Sequence, residues 1–206
     1  MITVIGNLKG GSGKSTVTFN YALWLLRQGE TVVAYDLDPQ STLSDVAQVR
    51  AEEKYEPPLK VYTRYVKPKH LNSSQTIIDV GTANMAAMKK VITFADRIVV
   101  PVTPSQADVW STQRFLYLVA SEVKDKPPEI LAFVNRADTH AAVRESDQVE
   151  DVLRSLPGIK VLETRLCQRT VYRRSFSEGL AVFEMESSGK GSKEFDSFAR
   201  TVYEYQ

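Results

Sequence analysis

The residues with the clearest chemistry lie near the amino terminus, in the run Gly6-Asn7-Leu8-Lys9-Gly10-Gly11-Ser12-Gly13-Lys14-Ser15-Thr16. Closely spaced glycines let a backbone bend until successive N–H groups converge on one anion. A helix opening at such a turn adds a partial positive charge of about half an elementary unit. The chemistry is therefore polyphosphate binding. Gly10, Gly11, Ser12 and Gly13 form the cradle, Lys14 meets the β- and γ-phosphates, the Ser15 hydroxyl ligates Mg²⁺, and Thr16 lies near the α-phosphate. The standard spacing of such a loop would put glycine at position 8, where Leu8 stands, and a second lysine, Lys9, interrupts it.

Two acidic positions extend this chemistry. In Tyr35-Asp36-Leu37-Asp38-Pro39-Gln40 the alternation of a strand puts Asp36 and Asp38 on one side. Alone, the pair equally ends a strand or caps a helix starting near Ser41. Thr76-Ile77-Ile78-Asp79 is an apolar strand ending in a carboxylate, which suits Mg²⁺ coordination through a water molecule.

These groups need a scaffold that brings several strand ends together. Short β-branched apolar runs recur at Ile2 to Ile5, Thr31 to Tyr35, Thr76 to Ile78, Arg97 to Val102 and Ile130 to Val134. Helix-like stretches from about Lys14 to Arg27, Thr82 to Phe94, Gln106 to Val123 and Ala142 to Leu156 alternate with them, and Ser192 to Tyr205 reads as a closing helix. Pro57-Pro58, Pro127-Pro128 and Ser-Ser-Gly-Lys-Gly at 187–191 read as loops. The pattern predicts an α/β fold, a doubly wound and mostly parallel sheet flanked by helices, with ligands beyond the carboxyl ends of the strands. The 206 residues, 43% of them hydrophobic, suit one domain over 1–206.

The run from Asn7 to Ser15 resembles the deviant phosphate loop of the ParA/MinD family of ATPases, and the segment from Asp36 to Gln40 resembles that family's second motif. The resemblance covers nearly the whole chain, from Met1 to about Phe183. It implies ATP and Mg²⁺ as ligands, and slow hydrolysis in which Lys9, Lys14 and Asp38 take part. Lys9 would reach the partner's ATP across a homodimer, and Asp38 would orient or activate the attacking water. Asp36 would sit near Lys14 and the water shell of the metal, with Asp79 on the metal itself. Phe133-Val134-Asn135-Arg136 is also similar to the family, which makes Asn135 a candidate for adenine recognition with Phe183 nearby as a packing surface; a plain strand-terminal turn explains Asn135 equally. The chain departs from the family at Asp79-Val80-Gly81, where relatives continue Asp-Thr-Pro.

Overall charge argues for no partner class, because 26 lysines and arginines balance 25 aspartates and glutamates. The stretch from Lys160 to Arg174 is locally basic, with Lys160, Arg165, Arg169, Arg173 and Arg174 against Glu163. The family resemblance makes Arg169, Arg173, Lys190 and Lys193 candidate contacts to nonspecific DNA, read through its phosphates. It also implies a cargo-bound activator, ParB-like or McdB-like, and compact length implies no helix-turn-helix arm. Single Cys167 excludes an internal disulfide and an iron–sulfur cluster of four cysteines shared by two subunits. The opening strand and the lack of a long apolar run suggest a cytoplasmic protein, associated with the nucleoid when ATP is bound, with no membrane expected. A MinD-like membrane-positioning ATPase and a metabolic ligase or kinase built on the same loop are the alternatives.

Overall fold

The computed structural model describes residues 1–64, 73–140 and 144–205. Helix and strand alternate from the start: β1 (Ile2–Ile5), α1 (Lys14–Arg27), β2 (Val32–Asp36), α2 (Thr42–Glu52), β3 (Val61–Tyr62), β4 (Gln75–Asp79), α3 (Met85–Ile92), β5 (Arg97–Val102) and α4 (Gln106–Glu122). The second half adds β6 (Glu129–Ala137), α5 (Glu145–Arg154), β7 (Lys160–Val161), β8 (Leu166–Cys167), α6 (Thr170–Ser177), α7 (Val182–Met185) and α8 (Lys190–Glu204). The strand order is β3-β2-β4-β1-β5-β6-β7, with β8 also on β6, and every described pairing is parallel.

Parallel strands joined by helices must be covered on both faces, and the period-two alternation of side chains divides the core accordingly. Ile5, Ala34, Ile77, Val99, Leu131 and Phe133 face one apolar layer with α1 and α8. Val4, Tyr35, Ile78, Val100, Ala132 and Val134 face the other with α3, α4 and α5. Aromatic rings fix the first layer: Phe133 packs on Phe198 with centroids 4.3 Å apart, and Trp24 donates its indole N–H to Asp196 over 2.8 Å. Burying a side chain of this size contributes roughly 1.5–3 kcal/mol.

The structure refines several expected boundaries. Helix α3 is shorter than the span from Thr82 to Phe94, because the Asn84 side chain caps it by accepting the Ala87 N–H. Lys190, expected in a loop, is the first residue of α8, which begins after Gly189. Strand β6 runs three residues beyond Val134, to Ala137. Residues 142 and 143 of the fourth expected helix lie outside the described residues, and α5 starts at Glu145.

Crossing the sheet from β1 to β2 skips over β4, and β1 is flanked by β4 and β5. The chain thus leaves β1 at the point where the strand order changes direction, and the crevice there opens at the carboxyl ends of the strands. On the outer side, α2 is anchored by an ion pair. Arg50, 1% exposed, donates to both carboxylate oxygens of Glu184 at 2.8 Å, to the Gly179 carbonyl at 3.0 Å and to the Pro57 carbonyl at 2.9 Å. Glu184 also accepts the Ala181 N–H, so the pair ties α2 to both ends of the α6–α7 turn. Removing one member of such a pair strands its partner, so Arg50→Ala is expected to destabilise the protein by about 3 kcal/mol in urea denaturation.

Candidate functional site

The phosphate loop spans the gap between β1 and α1. Asn7, fully buried, donates its side-chain amide to the Pro101 carbonyl at 2.9 Å, which pins the start of the loop to the end of β5. The Ser12 hydroxyl donates to the Lys9 carbonyl at 3.3 Å, and the Lys14 ammonium donates to the same carbonyl at 3.1 Å. Gly13 precedes α1 in a left-handed conformation, φ 88°, and a β-carbon there would collide with the Asn135 amide, so glycine is required on both counts. Nothing crowds Gly10 or Gly11, which lie exposed on the outer turn.

The two lysines of the loop have opposite fates. Lys14 is buried, and burial holds its ammonium below the usual lysine range while Asp79 and Asp38 pull it back up. The Lys9 backbone is held by the two bonds to its carbonyl, yet its side chain is exposed and has no hydrogen-bond or ionic partner among the described residues.

Asp36 and Asp79 are register partners on β2 and β4. Asp36 is committed to the start of α2: one oxygen accepts the Ser44 N–H and hydroxyl at 2.8 and 2.9 Å, and the other accepts the Asp38 N–H at 3.2 Å. That is the helix-capping role open to it in the sequence. Asp79 is different. It is fully buried, and neither carboxylate oxygen makes a hydrogen bond of good geometry among the described residues, although the Ser15 hydroxyl lies near. Burial pushes its pKa up to about 7, while the Ser15 hydroxyl draws it down and the Asp36 charge adds to the rise. A buried carboxylate left without donors beside a serine at a helix start fits a hard cation. Among the described residues no group of three or more His, Cys, Asp or Glu side chains could hold a metal unaided. Mg²⁺, which keeps waters and phosphate oxygens as ligands, suits so sparse a donor set.

Asp38 lies on the turn after β2, half-buried, with Oδ1 accepting the Gln40 N–H at 3.0 Å. Its carboxylate occupies the space a β-carbon at Gly81 would need. With Asp38 in this position, any side chain at residue 81 would force its carboxylate to move. Val80 is buried in the core. The two loops are stitched together, Leu37 N–H donating to the Asp79 carbonyl at 2.9 Å and the Asn84 amide to the Leu37 carbonyl at 3.0 Å.

Beside the loop lies a cavity of about 480 Å³, lined in part by Gly13, Thr16, Asn135, Leu166, Tyr172 and Phe176. Asn135 donates its amide to the Ser12 carbonyl at 2.7 Å, bracing the loop and leaving its own oxygen as an acceptor at the cavity wall. Phe183 does not line this space; it is buried in the core with the Arg27 guanidinium over its ring. Phe176 and Tyr172 supply the aromatic surface instead. The sequence held no local signal for this, because α6 comes close to the loop only by chain return.

The expected basic stretch divides. Arg165 pairs with Asp147 and Glu150, and Arg169 with Glu194. Arg169 is thus engaged by α8 rather than open to solvent. Arg173, Arg174, Lys190 and Lys193 are exposed without ionic partners among the described residues. Tyr172 donates its hydroxyl to the Gly191 carbonyl at 3.0 Å, which brings α6 and the start of α8 side by side.

Comparison with known proteins agrees with this geometry. Residues 3–182 match the CobQ/CobB/MinD/ParA nucleotide binding domain. The chain belongs to this family. It is 28% identical over 196 residues to maintenance of carboxysome distribution protein A of Halothiobacillus neapolitanus, covering 91% of this chain and 89% of that protein. Among solved structures it resembles a putative plasmid partition protein of Borrelia burgdorferi bound to AMPPNP, with a TM-score of 0.77, 16% identity and coverage of 100% and 99%. The MinD cell division protein of Aquifex aeolicus gives a TM-score of 0.77 at 16% identity over 100% and 98% of the two chains. The shared fold places the doubly wound sheet of this chain among theirs. No helix among the described residues is long and apolar enough to cross a membrane.

Asp79 makes a pH test available. Its folded pKa of about 7 lies above the ordinary carboxylate value of 3.8, so the folded state holds a proton that the unfolded state releases. Stability from this group is complete below about pH 4 and is lost as pH rises through about 7, at up to about 1.4 kcal/mol per pH unit. Without nucleotide, Asp79→Asn is expected to match wild type near pH 4.5 and to be more stable at pH 8, as read by melting temperature across a pH series.

Proposed function

We propose that the protein is an ATPase whose nucleotide state switches a homodimer on and off nonspecific DNA, and so positions or segregates a cargo. The observation that carries this reading is the division of labour between the two loop lysines. Lys14 is buried in its own loop, and Lys9 is exposed on a fixed backbone with no carboxylate among the described residues to neutralise. Two triphosphates brought face to face concentrate negative charge, and a lysine donated by each subunit to the other offsets it only when both are loaded. The similarity to a carboxysome distribution protein and to a plasmid partition protein supports a positioning role.

In this reading the loop N–H groups and Lys14 bind the β- and γ-phosphates, and Ser15 and Asp79 hold Mg²⁺, with Asp36 shaping the turn beside them. The metal supplies charge neutralisation at the phosphates. Asp38 orients the attacking water, and Asn135 offers its free oxygen to the exocyclic amine of adenine. With no arginine assigned to the γ-phosphate, unaided turnover is slow, on the order of 10⁻⁴ to 10⁻² per second, until a cargo-bound activator raises it.

Arg173, Lys190 and Lys193, with Arg174, supply the phosphate-binding face, and Arg169 braces it through Glu194. Doubled in a dimer, four such cations per chain give binding that weakens about 10³-fold or more between ~50 and ~200 mM salt. The deciding experiment is retention of random-sequence duplex DNA with ATP, ADP or no nucleotide across that salt range, in wild type and Lys9→Ala. ATP-dependent, salt-sensitive retention that Lys9→Ala abolishes supports the reading. ATP binding without DNA retention points instead to a membrane or metabolic role, which liposome sedimentation would separate.

Asp38→Ala is expected to bind ATP and dimerise while hydrolysing about 10²-fold more slowly. Gly81→Ala, which displaces the Asp38 carboxylate without touching the loop, is expected to lower hydrolysis with ATP affinity little changed in calorimetric titration.

A further inference from the structure

Arg136 follows Asn135 at the carboxyl end of β6 and has an unusual backbone. Its φ of 57° places a non-glycine residue in the left-handed region, which L side chains occupy at an energetic cost. The reason lies in the pairing of β6 with β8. Asn135 pairs with Leu166 and Ala137 with Cys167, and the register shifts between them, so Arg136 is the extra residue of a bulge. Its two neighbours are buried and Arg136 is exposed. Bulges of this kind re-aim a side chain.

The side chain is aimed at the phosphate loop. Arg136 lines the cavity beside the loop, and its Nε lies 3.9 Å from the position a β-carbon on Gly13 would take. It has no hydrogen bond, ion pair or ring contact among the described residues. Two other arginines, Arg169 and Arg173, line the cavity, and no carboxylate does. Arg169 is already neutralised by Glu194, which leaves Arg136 and Arg173 as the cavity's arginines without an ionic partner among the described residues, and Arg136 is the one whose guanidinium comes close to Gly13. Strain, an unpaired guanidinium and a cavity without acids together describe a site prepared for an anion.

We infer that Arg136 is a nucleotide-binding residue whose guanidinium closes on the α-phosphate of the nucleotide held by the loop. The inference rests on the nucleotide reading above and adds a cation from the end of β6 to those of the loop itself. Of the loop residues, Gly13 and Thr16 border the cavity; Thr16 is the one expected near the α-phosphate, and the aromatic wall of Tyr172 and Phe176 is then left for the nucleoside. A planar fork of donors suits two phosphate oxygens at once. Because ADP and ATP share the α-phosphate, the residue acts on both alike.

The test is calorimetric titration of the full chain with Mg-ADP and with a slowly hydrolysed ATP analogue, at low and high salt, alongside melting temperatures without nucleotide. Arg136→Gln is expected to weaken both nucleotides by about 10-fold or more, with the loss smaller at high salt. Arg136→Lys keeps the charge but not the fork, and is expected to recover part of the affinity, most clearly at low salt. Arg136→Gly relieves the left-handed strain, so its melting temperature should equal or exceed that of wild type although it binds nucleotide as poorly as Arg136→Gln. Unchanged affinity in Arg136→Gln overturns the inference. So does a loss in Arg136→Gln that is the same at low and high salt, which would mean contact with the base and not with a phosphate. If wild type itself binds neither nucleotide, the nucleotide reading fails first and this inference falls with it.

Discussion

The arrangement of this protein depends on one unfavourable placement, a fully buried Asp79 carboxylate whose oxygens make no hydrogen bond of good geometry among the described residues, held near the buried Lys14. A charge in that position is costly unless something arrives to meet it. The sheet supplies the stiffness that keeps it there. Asp79 ends β4 in register with β1 on one side and β2 on the other, and both apolar layers brace those strands. The unpaired oxygens of Asp79 and the N–H groups of the loop are complementary needs, one for positive charge and one for negative. A magnesium–polyphosphate complex meets both.

Around this centre the polar groups sort into those satisfied by the fold and those left open. Asp36 is satisfied, its oxygens used by Ser44 and the Asp38 N–H. Arg165 and Arg169 are satisfied by carboxylates of neighbouring helices. Lys9, Arg136 and Asp79 are open, and all three border the phosphate loop or the strand beside it. Asp38 stands between the groups, resting in the space that Gly81 leaves. Such a division, in which residues of one type differ only in whether the fold has used them, separates the supports of the site from the groups available to a ligand.

Much of this was legible without coordinates because it is local. The phosphate loop is one continuous run, and its glycines, lysines and hydroxyls declare their geometry through spacing alone. The strands read clearly because a parallel sheet buried on both faces demands continuous apolar runs, and β1, β2, β4, β5 and β6 carry them. The two-residue strands β3, β7 and β8 escaped notice, since so short a segment has no period to detect. Phe183 looked available for a base but is packed in the core under Arg27, while Phe176 and Tyr172, with no motif to mark them, reach the cavity by the return of α6.

The sequence by itself determined the class of ligand, the parallel α/β scaffold and the order in which the acidic positions follow the loop, because each is encoded within a few consecutive residues. Tertiary structure decided which of those residues remain free. Whether Arg169 is a surface cation or half of an ion pair depends on Glu194, 25 residues away in the chain. Gly81 leaves the space that Asp38, on another loop, fills, and Arg136 is turned toward the phosphate loop by a bulge whose partner strand begins at Leu166. Spacing along a chain specifies which groups exist, but neutralisation and steric exclusion act through space, between segments that only folding brings together.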